Sequence, residues 1–228
     1  MILQAVDVTK DYPRLGKGTN HFAAVSKATL ALEPGTVSVI MGRSGSGKST
    51  LLNMLSGLLL PSSGEVLADD ASLYAMKDAE LSRFRNEHFG IIPQGQTAIS
   101  SLTVLENVLL PQRFYRKEAD AAGAEALLEQ LGIQALKNEL PKSLSGGELR
   151  RMAIARALGM KPEVILADEP TGDLDDENTE LVLQALRHAA DQGAAVLLVT
   201  HESDSLRISD CSYRMNAGEL SVTSVTEL

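Results

Sequence analysis

The stretch Thr36–Leu55, TVSVIMGRSGSGKSTLLNML, decides how the rest of the chain is read. An apolar run of strand length, TVSVIM, is followed by the loop GRSGSGKST and then by the helical start LLNML. So glycine-rich a loop loses more backbone entropy on folding than most, and its composition asks for a compensating turn or ligand. An ordinary strand-to-helix turn would explain glycine and serine but not the spacing. Gly42, four residues, Gly47, Lys48 and Ser49 fit the phosphate-binding pattern G-x-x-x-x-G-K-[ST] in the place where it must sit. Gly42, Arg43, Ser44, Gly45, Ser46 and Gly47 can turn backbone N–H groups inward around an anion, and the following helix adds the positive end of its dipole. Lys48 then supplies a mobile cation for the β- and γ-phosphates, Ser49 a hydroxyl ligand for Mg²⁺, and Thr50 closes the stretch.

The chain has 228 residues, enough to bury about 70–75% of its unfolded surface without disulfides. Cys211 is its single cysteine, so neither a disulfide framework nor a cysteine metal site forms within it, as suits a reducing compartment. The N-terminus MILQAVDVTKDYP lacks a basic and an apolar leader region. Near the C-terminus the apolar run extends only over AAVLLV, which points to a soluble chain. A net charge of −9 argues against nucleic acid as a partner, because duplex binders carry a basic face to displace counterions.

Apolar runs of strand length recur at TVSVIM, FGIIP, EVILAD and AAVLLVT with helical patterns between them, the signature of an α/β fold with a largely parallel, doubly covered sheet. ILQAVDV and HFAAVSKATLALEPG alternate more strictly, as half-buried antiparallel strands of a small N-terminal sheet would. From about Ser100 to Pro141 strand signals give way to helical ones, TVLENVLLP and EADAAGAEALLEQLG, the latter with Gly132 at a helix stop. One domain is expected: a core of about residues 1–97 and 142–228 and a helical lobe of about 98–141.

A second glycine cluster, SLSGGELRRMAIARAL, places Ser145, Gly146 and Gly147 before a helix expected from about Glu148, a further candidate anion site. EVILADEPTGDLD releases Asp168 and Glu169 at the C-terminal end of a buried strand, where ligands of open α/β sheets collect. An isolated carboxylate pair there can simply be solvated. Beside a phosphate loop the two divide roles: Asp168 toward Mg²⁺, Glu169 toward orienting or deprotonating water for attack on a γ-phosphate. His201 ends AAVLLVT in the same way and is a candidate γ-phosphate contact. Gln94, in IIPQGQ, follows another strand and can offer its amide to Mg²⁺ or to the attacking water.

At this point the residues resemble the ATP-binding subunit of an ABC transporter, over essentially the whole chain. GRSGSGKST looks like the Walker A motif, Pro93–Gln94 the Q-loop, Leu144–Glu148 the signature, VILADE the Walker B motif with its catalytic glutamate, Thr171–Asp175 the D-loop and Thr200–His201 the switch histidine. The resemblance implies a P-loop NTPase core with a β subdomain and a helical lobe, and ATP and Mg²⁺ as cofactors. It matches Tyr12, in the loop TKDYPRLG, to the aromatic that stacks on adenine. It also implies a head-to-tail homodimer in which Ser145–Gly147 and Glu148 of one subunit cap the γ-phosphate held by Lys48 of the other. A membrane-spanning permease subunit would be the partner, holding the chain at the cytoplasmic face of the membrane. The motif strings look most similar to the branch serving macrolide exporters and lipoprotein release. Three departures stand out: Glu148 where many relatives have Gln, Asp173 where this branch commonly has Asn, and Pro93 where an aromatic is usual.

Transport is the leading expectation, and an ATP-driven regulator or mechanical transmitter of a membrane complex is the alternative, since catalytic residues do not separate the two. DNA-repair members insert a long coiled coil between Walker A and signature, whereas only 96 residues separate Lys48 from Leu144 here. Translation-type members carry two cassettes, and a kinase has no use for Glu169 beside Asp168 or for the signature loop. The segment from Gln94 to about Pro111 is the expected docking place for the membrane partner, through whichever apolar positions of 98–105 are exposed; Ile99, Leu102, Val104 and Leu105 equally suit packing inside the lobe.

Overall fold

The computed structural model describes residues 1–13, 21–95, 97–115 and 118–223, the side chain of Tyr115 excepted. Part of the TKDYPRLG stretch and Gln96 of the expected docking segment therefore lie outside the described residues. In chain order the elements are β1 (Leu3–Pro13), β2 (His21–Leu32), β3 (Val37–Met41), α1 (Lys48–Leu55), β4 (Ser63–Ala68), the two-residue β5 (Ala71–Ser72), α2 (Asp78–His88), β6 (Phe89–Ile92), α3 (Val104–Tyr115), α4 (Ala121–Gln130), α5 (Gly146–Leu158), β7 (Val164–Asp168), α6 (Asp176–Asp191), β8 (Ala195–Thr200), β9 (Cys211–Asn216) and β10 (Glu219–Thr223).

The strands form two sheets: an antiparallel one of order β2-β1-β4-β5 and a larger one of order β10-β9-β3-β8-β7-β6. In the larger sheet β9, β3, β8, β7 and β6 run parallel, and β10 adds an antiparallel edge. The unbroken apolar character of its central strands follows from cover on both faces. Val37, Val39, Ile165, Ala167, Val196 and Leu198 point into a core shared with the helices on one side. Ile40, Val164, Leu166, Ala195, Leu197 and Val199 point into a core shared with α1 and the antiparallel sheet on the other. This is an α/β fold, a mainly parallel sheet with an antiparallel β subdomain, as expected.

Details differ from the sequence reading. The antiparallel sheet recruits β4 and β5, and the parallel sheet is extended by β9 and β10, short segments whose patterning is interrupted by turns. Helix α5 begins at Gly146 rather than near Glu148, because Ser145 is its cap and Glu148 already sits at the third helical position. Tyr12 lies at the end of a strand rather than in a loop, paired with Phe22 on β2. Gly132 takes φ 68° one residue past the cap of α4, the left-handed stop its position suggested.

Candidate functional site

Four neighbouring parallel strands, β3, β8, β7 and β6, deliver their C-terminal ends to one edge of the sheet. The loop after β3 wraps into α1, and a cavity of about 370 Å³ opens above it. Ser44, Gly45, Gly47, Lys48, Ser49 and Thr50 line its floor, Gln94, Glu169 and His201 one wall, and Tyr12, Phe22 and Ala24 the other. The fold therefore brings together residues from four strand ends plus an aromatic wall from the antiparallel sheet.

Two glycines are required by the local geometry. Gly47 caps α1 at φ 109°, and a Cβ there would stand 2.2 Å from the Ala24 carbonyl oxygen. A Cβ on Gly42 would stand 2.5 Å from the Met215 carbonyl oxygen. Because Gly47 supplies no side-chain cap, the first N–H groups of α1 keep no internal side-chain acceptor and remain available to an anion.

Lys48 is 6% exposed, and its amine donates to the carbonyls of Gly42 at 2.7 Å and Arg43 at 3.2 Å. It also stands 3.7 Å from Glu169 Oε1. Glu169 is itself buried and sits in the left-handed region at φ 48°. Its Oε2 accepts from the Thr200 hydroxyl at 2.8 Å and the His201 backbone N–H at 3.4 Å, while Oε1 lies 3.0 Å from His201 Nδ1. Burial pushes the Glu169 carboxyl up, but the hydrogen bonds from His201 and Thr200 and the charges of His201 and Lys48 outweigh it and hold the group below its usual value. The same hydrogen bond, then the Glu169 charge, raises His201. A charged carboxylate fixed on three sides next to a lysine that serves the phosphate loop is suited to holding water beside a phosphate.

Asp168 does not line the cavity. It lies behind Ser49, 5% exposed, and burial raises its carboxyl ahead of the lowering effect of the Ser49 hydrogen bond. Its Oδ1 is buried with no hydrogen-bond partner. An orphaned carboxylate oxygen, the Ser49 hydroxyl and the Gln94 amide are hard oxygen donors of the kind Mg²⁺ takes while keeping waters and substrate phosphates, so the residues fit the ion. Among the described residues no cluster of three or more His, Cys, Asp and Glu could hold a metal by itself.

Not every expected residue reaches the cavity. Gly42 and Arg43 line an adjoining depression with His201 and Arg214. Ser46 is buried with its hydroxyl unpartnered. Ser145, Gly146, Gly147 and Glu148 lie apart, at the start of α5, where a capping box is closed. Ser145 donates from its N–H and its hydroxyl to Glu148 Oε2 at 2.7 and 2.8 Å. Those bonds, the backbone one first, hold Glu148 below its usual carboxyl range, so a negative charge already occupies this helix start. Sequence reasoning missed Phe22 and Thr200: the first was visible only as one apolar residue in an alternating strand, the second as an unremarked member of TH.

A family model described as ABC transporter matches residues 25–172. The lipoprotein-releasing system ATP-binding protein LolD of Myxococcus xanthus is 40% identical over 223 residues, covering 96% of this chain and 98% of that protein. LolD of Shewanella oneidensis is 39% identical, covering 97% of this chain and 96% of its own. Among solved structures, the dimeric bacterial ABC transporter cassette MJ0796 superposes with a TM-score of 0.88 at 35% identity, covering 96% of each chain. A dimeric post-hydrolysis state of the same cassette bound to ADP and Pi gives 0.88 at 33%, covering 96% of this chain and 98% of that one.

Proposed function

The chain belongs to the ABC transporter family, and from that premise we propose that it is the ATP-hydrolysing subunit of a membrane transporter of the exporter or lipoprotein-releasing type. It works as a head-to-tail dimer closed by ATP on a separate membrane-spanning permease. One observation carries the reading: Lys48 at the start of α1, and Gln94, Glu169 and His201 just beyond the ends of the adjacent strands β6, β7 and β8, line a single cavity. The dimeric relatives support the assembly.

ATP enters with its adenine against Tyr12, with Phe22 beside it, and its phosphates over the free N–H groups of α1. Lys48 exchanges the Gly42 and Arg43 carbonyls for β- and γ-phosphate oxygens, which also draws it away from Glu169. Ser49, Asp168 and Gln94 would hold Mg²⁺, which supplies charge neutralisation on the phosphates. Glu169, kept ionised by Thr200 and His201, accepts the proton of the attacking water. His201, whose pKa the contact with Glu169 raises, faces the γ-phosphate. Ser145 and the glycines after it, too far from their own cavity to act there, cap the γ-phosphate of the partner subunit. Closure is then a population shift, ATP binding the closed dimer more tightly than the open one.

We assign the lobe to about residues 98–141 and the permease contact to its start. Ile99 is 41% exposed and Leu102 half-buried, whereas Val104 is fully buried and belongs to the core, so the docking surface is narrower than the apolar pattern suggested. Among the described residues no helix is long and apolar enough to cross a membrane, and the permease would hold the chain at the cytoplasmic face. Replacing Glu169 by Gln tests the chemistry: MgATP binding persists, hydrolysis falls at least about 10²-fold, the scale of a lost general base, and size-exclusion chromatography with ATP shows a dimer. Unchanged turnover would remove Glu169 from the mechanism.

A further inference from the structure

The edge of the sheet that carries the nucleotide cavity also carries a second depression, on the other side of the loop after β3. Three neighbouring strands, β9, β3 and β8, end there, and Met41, Gly42, Arg43, His201, Arg214 and Asn216 line a space of about 560 Å³. Along β9, Tyr213 and Met215 turn into the core, so Arg214 and Asn216 share the opposite, exposed face. Gly42 lies close against the Met215 carbonyl, which brings Arg43 to the same strand end. His201 lines both spaces and so stands between them.

Charge in the depression is one-sided. No carboxylate is among the lining residues. Among the described residues neither the Arg43 nor the Arg214 guanidinium has an ion-pair partner, and only backbone atoms of the two are engaged in hydrogen bonds. Arg85, Arg150, Arg156, Arg187 and Arg207, by contrast, each donate to an acceptor within the chain. In a chain of net charge −9, two exposed guanidiniums left side by side without a counter-charge invite an anion, and the planar fork of arginine suits a phosphate, two N–H groups to two oxygens. Hydrolysis makes that anion next door, because the γ-phosphate faces His201 from the cavity side. We propose that the depression is a binding site for inorganic phosphate, with Arg43, Arg214 and the Asn216 amide as its donors, and that it takes up the phosphate released past His201. This rests on the reading that sets the γ-phosphate against His201. Phosphate and ADP then occupy separate faces of one loop, and the depression fills whether or not the γ-phosphate position is occupied. It is open to solvent, so phosphate enters with part of its water shell.

The test is equilibrium binding of radiolabelled inorganic phosphate to the full chain carrying two changes. Glu169→Gln with MgATP keeps the γ-phosphate position filled, and Ser145→Arg keeps a second copy from closing over the depression. Phosphate should bind at one site per chain. Arg214→Gln should weaken it at least about tenfold, the loss expected for one charge-assisted hydrogen bond, with ATP binding unchanged. Arg207→Gln, which removes the same charge from an exposed side chain elsewhere, should leave phosphate affinity as it was. Equal weakening in the two variants, or no phosphate bound while ATP is, would overturn the site. Phosphate that binds only when MgADP replaces MgATP, regardless of Arg214, would belong to the vacated γ-phosphate position and overturn it likewise. Loss of ATP-driven dimerisation in Glu169→Gln/Arg214→Gln, with no phosphate bound by the monomer, would give the depression to an acidic segment of the partner subunit instead. A parent that fails to bind ATP would overturn the nucleotide reading and this inference with it.

Discussion

Replacing Thr200 by Val tests the positioning of Glu169 without touching the carboxylate. Thr200 is fully buried, donates to Glu169 Oε2 at 2.8 Å and accepts from the Glu202 N–H at 3.0 Å. Valine keeps the shape and removes both bonds. A hydrogen bond to a charged group contributes about 1.5–3 kcal/mol and a neutral one about 0.5–1, so the folded state should lose about 2–4 kcal/mol. For a chain of this length that lowers Tm by about 4–16 °C, readable by calorimetry. The catalytic effect is separate. Glu169 keeps His201 but loses the donor that fixes Oε2, and if the charged bond is fully felt in the transition state, kcat falls about 10- to 100-fold. KM for ATP should stay close to the parent's, since Thr200 does not line the cavity. Steady-state ATPase measured below the lowered Tm reads both parameters. A normal kcat in a variant with the expected loss of Tm would refute the claim that this hydrogen bond positions the base.

Other outcomes follow from the same geometry. By NMR, His201 should titrate above its ordinary 6.5 and fall back toward it in Glu169→Gln, because the carboxylate is what raises it. The Glu169–His201 contact, with one carboxyl lowered and one imidazole raised, should add stability between those two values and lose it as pH falls through the Glu169 value or rises through the His201 value. Glu148→Gln keeps the capping geometry but removes the negative charge from the helix start meant to meet a phosphate, so ATP-driven dimerisation measured by ultracentrifugation should strengthen several-fold; weakening would mean that the charge is needed there. Gly47→Ala forces a Cβ within 2.2 Å of a carbonyl oxygen at a positive φ, and it should abolish ATP binding by calorimetric titration along with a clear loss of Tm.

The central sheet was readable because burial on both faces makes its strands long apolar runs, and the phosphate loop because its spacing has a mechanism. Strands β4, β5, β9 and β10 were not, since such short segments carry too little alternation to stand out from turns. The cavity wall of Gln94, Glu169 and His201 was legible as strand ends, which the fold gathers at one edge beside Lys48. Phe22 was not, because its neighbour Tyr12 is set by strand register, a long-range fact. Nor could the sequence show that Val104 is core rather than surface, or that Arg150 and Arg156 bond to Pro93 and Thr97 on either side of Gln94. Those depend on how α5 docks against the sheet and the lobe.

The account stands or falls on sites shared between two subunits, and mixing two inactive variants measures that directly. Lys48→Ala removes the phosphate cation from its own site, and Ser145→Arg blocks the surface offered to the partner's. Each alone should hydrolyse almost no ATP. In a mixed dimer, one composite site combines both lesions and the other combines an intact Lys48 with an intact Ser145, so head-to-tail pairing predicts that ATPase activity returns on mixing. If Lys48 and Ser145 served the same subunit's nucleotide, every site in the mixture would carry a lesion. Activity that stays absent on mixing, with mixed dimers demonstrated by mass spectrometry, would contradict the account.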